Sequence, residues 1–182
     1  MTPILLITKA DFIPYVDLPA NVDAVKKINM HIEHAQQFDL KPLLGDVLYY
    51  DLLKNSTEEK YVTLLDGQEY EVNGVPVLFK GLKPAIVHFA TARVLPNISS
   101  QITPSGMFQK RNEFSDPVDF RDISRQVKYF ESLAHGYWAE ARAFLDQNSD
   151  TYTHWRSNKC ESPRASRNSG ARIYGVNSYG RR

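Results

Sequence analysis

Cysteine is almost missing from this 182-residue chain. The one thiol, Cys160, has no partner for an internal disulfide and stands in a Ser- and Arg-rich stretch with no base beside it, so neither a disulfide scaffold nor a thiol nucleophile is expected. Also missing are a Walker phosphate loop, a paired-cysteine zinc pattern, a His-Glu-x-x-His helix and a Gly-x-Ser-x-Gly elbow. An enzyme is therefore disfavoured. The apolar run Ile4-Leu5-Leu6-Ile7 is far too short to span a membrane and has neither a basic leader nor a cleavage site, so no secretory signal and no membrane partner are expected. Without export, the glycosylation patterns at Asn55-Ser56-Thr57 and Asn97-Ile98-Ser99 carry little meaning.

Histidine is scarce as well, and the nearest approach to a metal pattern is His31-Ile32-Glu33-His34. Residues three apart put His31 and His34 beside the apolar stripe of their helix or on its rim, with no third ligand signalled. His88, between Val87 and Phe89, and His135, in the last helix, read as structural hydrogen-bonded histidines. No catalytic residue, metal or cofactor is expected.

What the chain does have is apolar content of 42% with 12% aromatics, ample for a buried core. Val25, Ile28, Ile32 and Ala35 recur at steps of three and four, which predicts a helix from about Asp23 to Asp39. Pro42 suits the first turn of a new helix whose buried stripe is Leu43, Leu44, Val47, Leu48 and Leu52, with a tight corner between the two. Ser56 and Glu59 have capping-box spacing and predict a short helix over 57–65 that Asp66-Gly67 ends.

A hairpin follows, because Tyr70 and Val72 alternate with Glu69 and Glu71, Asn73-Gly74 is a strong two-residue turn, and Val75, Val77 and Phe79 return in alternation. Pro76 places that strand at an edge. The next helix starts near Pro84, buries Ile86, Phe89, Ala90 and Val94, and is expected to stop at Pro96. From Asn97 to Ser115 the reading is a long polar connection, in which Met107, Phe108, Lys110 and Arg111 form a candidate docking loop. The last helix is capped by Asp116 with Pro117 in its first turn and runs to about Gln147, and Gly136 within it suggests close approach by a neighbour or a slight bend.

Charge divides the chain unevenly. From Asp150 onward seven basic residues stand against two acidic ones, a net of +5, while the remaining 15 basic and 19 acidic residues give −4. The fold class expected is mainly α: a small helical bundle with one β-hairpin, a long C-terminal helix and an extended C-terminal tail. Residues 1–149 form the body and 150–182 a basic partner-binding tail.

The run from Ala35 to Leu53, Ala-Gln-Gln-Phe-Asp-Leu-Lys-Pro-Leu-Leu-Gly-Asp-Val-Leu-Tyr-Tyr-Asp-Leu-Leu, is distinctive in wording. With Leu6-Ile7-Thr8-Lys9-Ala10-Asp11-Phe12 it resembles a family of small structural proteins of Bacteroidetes phages and prophages, which are similar to head-tail connector (adaptor) proteins. The resemblance implies a virion protein of the neck that forms a homo-oligomeric ring, typically dodecameric, between the portal protein and a downstream neck or tail protein, with non-specific DNA contact open in the channel. Val75, Val77, Met107, Phe108, Lys110 and Arg111 are then expected at subunit interfaces. Trp155, Arg156, Arg164, Arg167, Arg172, Tyr174 and Tyr179 of the tail are expected on the portal. An alternative is a nucleic-acid-binding packaging accessory, since Arg and Lys interleaved with Tyr and Trp can neutralise phosphates while rings stack on bases.

Overall fold

The computed structural model describes residues 4–17, 28–103, 106–109 and 119–155, with the backbone alone for 98–103 and 106–109. Its elements are a 3-10 turn (Lys9–Phe12), α1 (Asn29–His34), a π-helical segment (Ala35–Leu40), α2 (Lys41–Leu44), α3 (Asp46–Lys54) and α4 (Glu59–Asp66), followed by β1 (Gln68–Val72), β2 (Val75–Phe79), α5 (Lys83–Ser99), β3 (Ser100–Thr103), β4 (Gly106–Gln109) and α6 (Phe120–Gln147). The protein is mainly α with a hairpin and a long final helix, as the periodicities predict.

α5 is the centre of the bundle. Residues 84–92 are buried on every side, where the sequence pattern marks a single stripe. A helix that is apolar all round belongs inside. α6 lies along one flank of α5, and α1, the π segment and the 3-10 turn cover others. The one hydroxyl in this stretch, on Thr91, is satisfied by donating to the Val87 carbonyl at 2.8 Å.

The first corner lies later than expected. Backbone helicity continues from α1 through the π segment into α2, and the chain turns at Gly45, whose φ of 81° favours glycine. Pro42 sits in the first turn of α2 directly after the π segment, where Lys41 N–H reaches back to the Gln36 carbonyl. Such a widened turn accommodates a ring that would clash with the preceding carbonyl in a regular helix. Proline therefore marks a change of helical pitch here, and glycine marks the corner.

Other boundaries shift for equally local reasons. α4 starts at Glu59 with Glu58 at its N-cap and no side-chain cap, so the Ser56–Glu59 capping box does not form. α5 passes through the exposed Pro96 and ends at Ser99. At that end the Asn97 amide donates to the Arg93 carbonyl at 3.1 Å. The expected polar connection contains a second antiparallel pair, β3 with β4, in the register Ser100↔Gln109. α6 is capped by Asp119, whose carboxylate accepts from Arg121 N–H at 3.1 Å; Asp116 and Pro117 lie outside the described residues.

The first hairpin is built as predicted. Val72 pairs with Val75 across Asn73 (φ 52°) and Gly74 (φ 79°), the two positive values of a type I′ turn. Phe79 anchors its base by stacking on Phe144 of α6 at 4.4 Å, and Tyr70 meets Phe144 edge-on at 5.2 Å. At that base Gly67 and Gly81 pass each other so closely that a Cβ on Gly67 would lie 2.2 Å from the Phe79 carbonyl, and one on Gly81 2.2 Å from that of Leu65.

The body also extends further than 149. Tyr152 and Trp155 are buried, and α6 receives both: Tyr152 packs on Phe144, and Trp155 meets Trp138 edge-on at 6.0 Å. Trp155 Nε1 donates to Asp146 at 2.9 Å, and the Tyr152 hydroxyl donates to the Lys60 carbonyl at 2.6 Å. Burial pushes the Tyr152 hydroxyl up to about 12. Trp155 is thus a core residue, and its expected place among portal-binding residues is corrected.

Candidate interaction surfaces

The signature segment has an inward and an outward side. Inward, Leu40, Leu44, Leu48, Tyr49 and Leu52 join the core. Between them Gln36, 1% exposed, accepts from Leu6 N–H at 2.8 Å and donates to the Ile4 carbonyl at 3.0 Å. One buried amide thereby satisfies a donor and an acceptor of the N-terminal segment. This contact physically joins the two halves of the sequence signature, Leu6–Phe12 and Ala35–Leu53.

The same N-terminal segment is held again at Asp11. Its carboxylate accepts from Thr8 N–H at 2.7 Å and from the Thr8 hydroxyl at 2.9 Å, while Lys83 Nζ lies 3.4 Å from Asp11 and 2.6 Å from Asp66. Burial pushes the Asp11 carboxyl up, but the Thr8 hydrogen bonds and Lys83 outweigh it and hold the group below the usual carboxylate value. Asp51 forms a second junction, accepting from the Tyr61 hydroxyl and, at 2.7 Å, from the Asn55 amide, with His154 Nε2 at 3.8 Å. The Tyr61 hydrogen bond lowers Asp51, and burial followed by that carboxylate raises Tyr61.

Outward, the signature exposes apolar side chains: Phe38 is 62% exposed, Val47 60% and Tyr50 53%. They flank two recesses that meet at Pro42 and Leu43. The first, about 380 Å³, runs from Phe38 to Phe89, Arg93, Glu131 and His135. The second, about 290 Å³, runs from Asp46 and Val47 to His154 and Trp155. Arg93 closes the floor by donating twice to Asp39, at 2.6 and 2.7 Å, with its guanidinium 5.6 Å from the Phe38 ring centre. On the rim Lys41 Nζ lies 3.5 Å from Asp46 and donates to the Tyr50 hydroxyl at 3.2 Å.

Two further surfaces are apolar and uncovered. On the first hairpin Val75, beside the turn, is 59% exposed with Val77 partly so on the same face, and Leu78, near the base, is 60% exposed on the opposite face. On α6, Phe120 and Tyr129 face solvent, and a Cβ added at Gly136 would meet nothing within 4 Å. Among the described residues, nothing makes the close approach expected at Gly136.

Of the residues singled out from sequence, Val75 and Val77 lie on the exposed hairpin, and Met107 and Phe108 lie on β4. Lys110, Arg111, Arg156, Arg164, Arg167, Arg172, Tyr174 and Tyr179 lie outside the described residues. The sequence reading missed Phe38 and Tyr50 as surface groups, and Val47, expected in the buried stripe, is corrected to the surface. Their signal was present: Phe38 follows Gln37 on the polar side of its helix, and Val47 and Tyr50 share one face of α3 apart from the buried Leu48 and Leu52.

The histidines form no metal cluster; among the described residues no three His, Cys, Asp or Glu groups stand close enough to hold an ion. His31 and His88 are buried, each with an Nδ1 that has no hydrogen-bond partner among the described residues, and burial lowers the pKa of both. His88 is instead packed by rings, stacking on Tyr137 at 5.4 Å and on Phe130 at 5.8 Å. The hydrogen-bonded role expected for it is thus replaced, at Nδ1, by aromatic packing. No helix among the described residues is long and apolar enough to cross a membrane.

A family of unknown function (DUF6712) has a model that matches residues 40–165, covering the outward side of the signature from Leu40, the first hairpin, α5, α6 and the Tyr152–Trp155 segment. No curated protein and no solved structure matches the chain.

Proposed function

The chain belongs to the DUF6712 family of unknown function, and we propose that its role is assembly: a phage head-tail connector (adaptor) protein that forms a ring, docks on the portal and links the capsid vertex to the tail. The observation that carries this reading is a pair of uncovered apolar positions on different elements: Val75 and Val77 on one face of the hairpin, and Tyr129 on the solvent side of α6. A head-to-tail ring needs two different, complementary patches on each subunit, whereas a two-fold dimer needs only one. The hairpin base is rigidly seated on Phe144, so its tip projects a fixed patch toward a neighbour.

Charge supports the second half of the reading. Residues 156–182 carry seven basic and one acidic residue, and Arg156, Arg164, Arg167, Arg172, Tyr174 and Tyr179 supply the cation and ring chemistry of interface anchors. The portal is the partner assigned to them, and the virion neck the location. No catalytic step, metal or cofactor is assigned.

Co-expression with the portal protein, copurification and particle imaging test the proposal. A ring seated on the portal is expected, and Val75→Asp with Val77→Asp is expected to leave the fold intact while dispersing the ring. A chain that ignores the portal, and instead shifts DNA or RNA with an affinity falling steeply as salt rises, would establish the packaging-accessory alternative.

A further inference from the structure

The two recesses that meet at Pro42 and Leu43 are used neither by the core nor by the ring surfaces assigned above. Their apolar walls are Phe38, Leu43, Val47 and the edge of Trp155. The charged groups around them are three acids, Asp39, Asp46 and Glu131, and two cations, Arg93 and Lys41, which engage Asp39 and Asp46 respectively and leave Glu131 as the excess charge. The groove is therefore apolar within, with a net charge of −1 around it.

We propose that this groove is the docking site of the chain's own C-terminal segment, residues 156–182. Three observations converge on that occupant. The described chain ends at Trp155, itself a wall of the second recess, so the segment departs from the groove's edge. It contains 27 residues, enough for about 90 Å when extended, so reach imposes no limit. Its net charge of +6 opposes the −5 of residues 1–155, and Ile173, Tyr174, Val176 and Tyr179 supply apolar side chains between the cations.

Tethering makes the contact effective even if it is weak. A flexible link gives an effective concentration of about 1 mM, so an intrinsic Kd of about 0.1 mM already keeps the groove filled about ten times in eleven. The hairpin tip of a second copy fits less well, because Glu69 and Glu71 flank it and would meet the excess charge of Glu131. Docking of the segment stands on the groove and on charge, without the connector reading. Combined with that reading, it means that a portal must draw the segment off its own body before using it.

The test uses the full chain with a photocrosslinking phenylalanine analogue at Val47, an exposed position whose replacement leaves the core alone. Crosslinks to residues 156–182 are expected, at a yield independent of protein concentration, and raising salt from 50 to 500 mM should lower that yield by about threefold or more. Asp46→Lys with Glu131→Lys should lower it similarly, with the melting temperature as a check that the body is folded. Crosslinks that map to the hairpin of another chain, a yield that grows with concentration, or no crosslink at all would overturn the proposal. None of these readouts involves a portal, so failure of the connector reading leaves the outcome interpretable.

Discussion

Cutting the chain at Asn148 and cutting it at Trp155 should give two very different proteins. The seven residues between them place two rings in the core: Tyr152 is 3% exposed and Trp155 6%. Loss of a buried aromatic side chain costs about 3–5 kcal/mol, as lost burial plus the cavity left behind. Trp155→Ala should fall in that range, because it opens the face of Trp138 and leaves Asp146 without its indole donor. For a chain of this size the loss corresponds to a fall in melting temperature of about 6–20 °C. The truncation after Asn148 also removes the Tyr152 hydrogen bond to Lys60, but it returns the conformational entropy of seven ordered residues, so its cost should be less than the loss of the two rings taken separately and summed. Thermal melts followed by circular dichroism, on the two truncations and on Trp155→Ala, measure all three values. If the truncation after Asn148 melts within about 2 °C of the one after Trp155, the packing of these rings does not stabilise the body and the extension of the core to residue 155 is wrong.

Three other perturbations read different parts of the structure. Gln36→Leu keeps the volume but strands the Leu6 N–H and the Ile4 carbonyl, at about 1–3 kcal/mol; hydrogen exchange should show loss of protection at Leu6, and unchanged protection there would refute the clamp. Because His31 and His88 are held neutral by burial, the unfolded chain binds protons more readily. Stability should be full above about pH 6.5 and fall as pH drops below it, by up to about 1.4 kcal/mol per unit for each histidine until its own folded pKa is passed. Asp11 and Asp51, held low, lose their contribution only below about pH 4, so urea midpoints that stay flat from pH 7.5 to 5 would contradict the histidine account. Gly136→Ala should stabilise the isolated chain by about 1 kcal/mol, since the new methyl meets open space. A decrease in urea midpoint would show that glycine is needed inside the chain, whereas a stabilised monomer that no longer assembles would place a neighbouring subunit there.

Much of the fold was readable because strong local signals agreed with burial. The Asn73-Gly74 turn, the start of α5 near Pro84 and the end of α6 at Gln147 each follow from residue chemistry within one turn. The misplaced features depend on what lies across the fold. Pro42 signals a helix start in isolation, but only the widened turn before it lets helicity continue to Gly45. Trp155 stands among Thr and His residues that read as tail, and its burial is decided by Trp138, seventeen positions earlier on α6. β3 and β4 are four residues each, too short for alternation to distinguish them from a polar loop. For the candidate groove, the sequence placed Asp39 and Arg93 on separate helices, and nothing in their local context announced a pairing across 54 positions.

The crossing of Gly67 and Gly81 has a consequence for how related chains can vary. Each glycine leaves no room for a side chain because the other's backbone segment occupies it, so neither position can accept a replacement on its own merits. The hairpin between them is under no such restriction, since most of β2 faces solvent. Drift is thereby channelled outward: the exposed side chains of β2 can be rewritten residue by residue, while the crossing that aims them stays fixed.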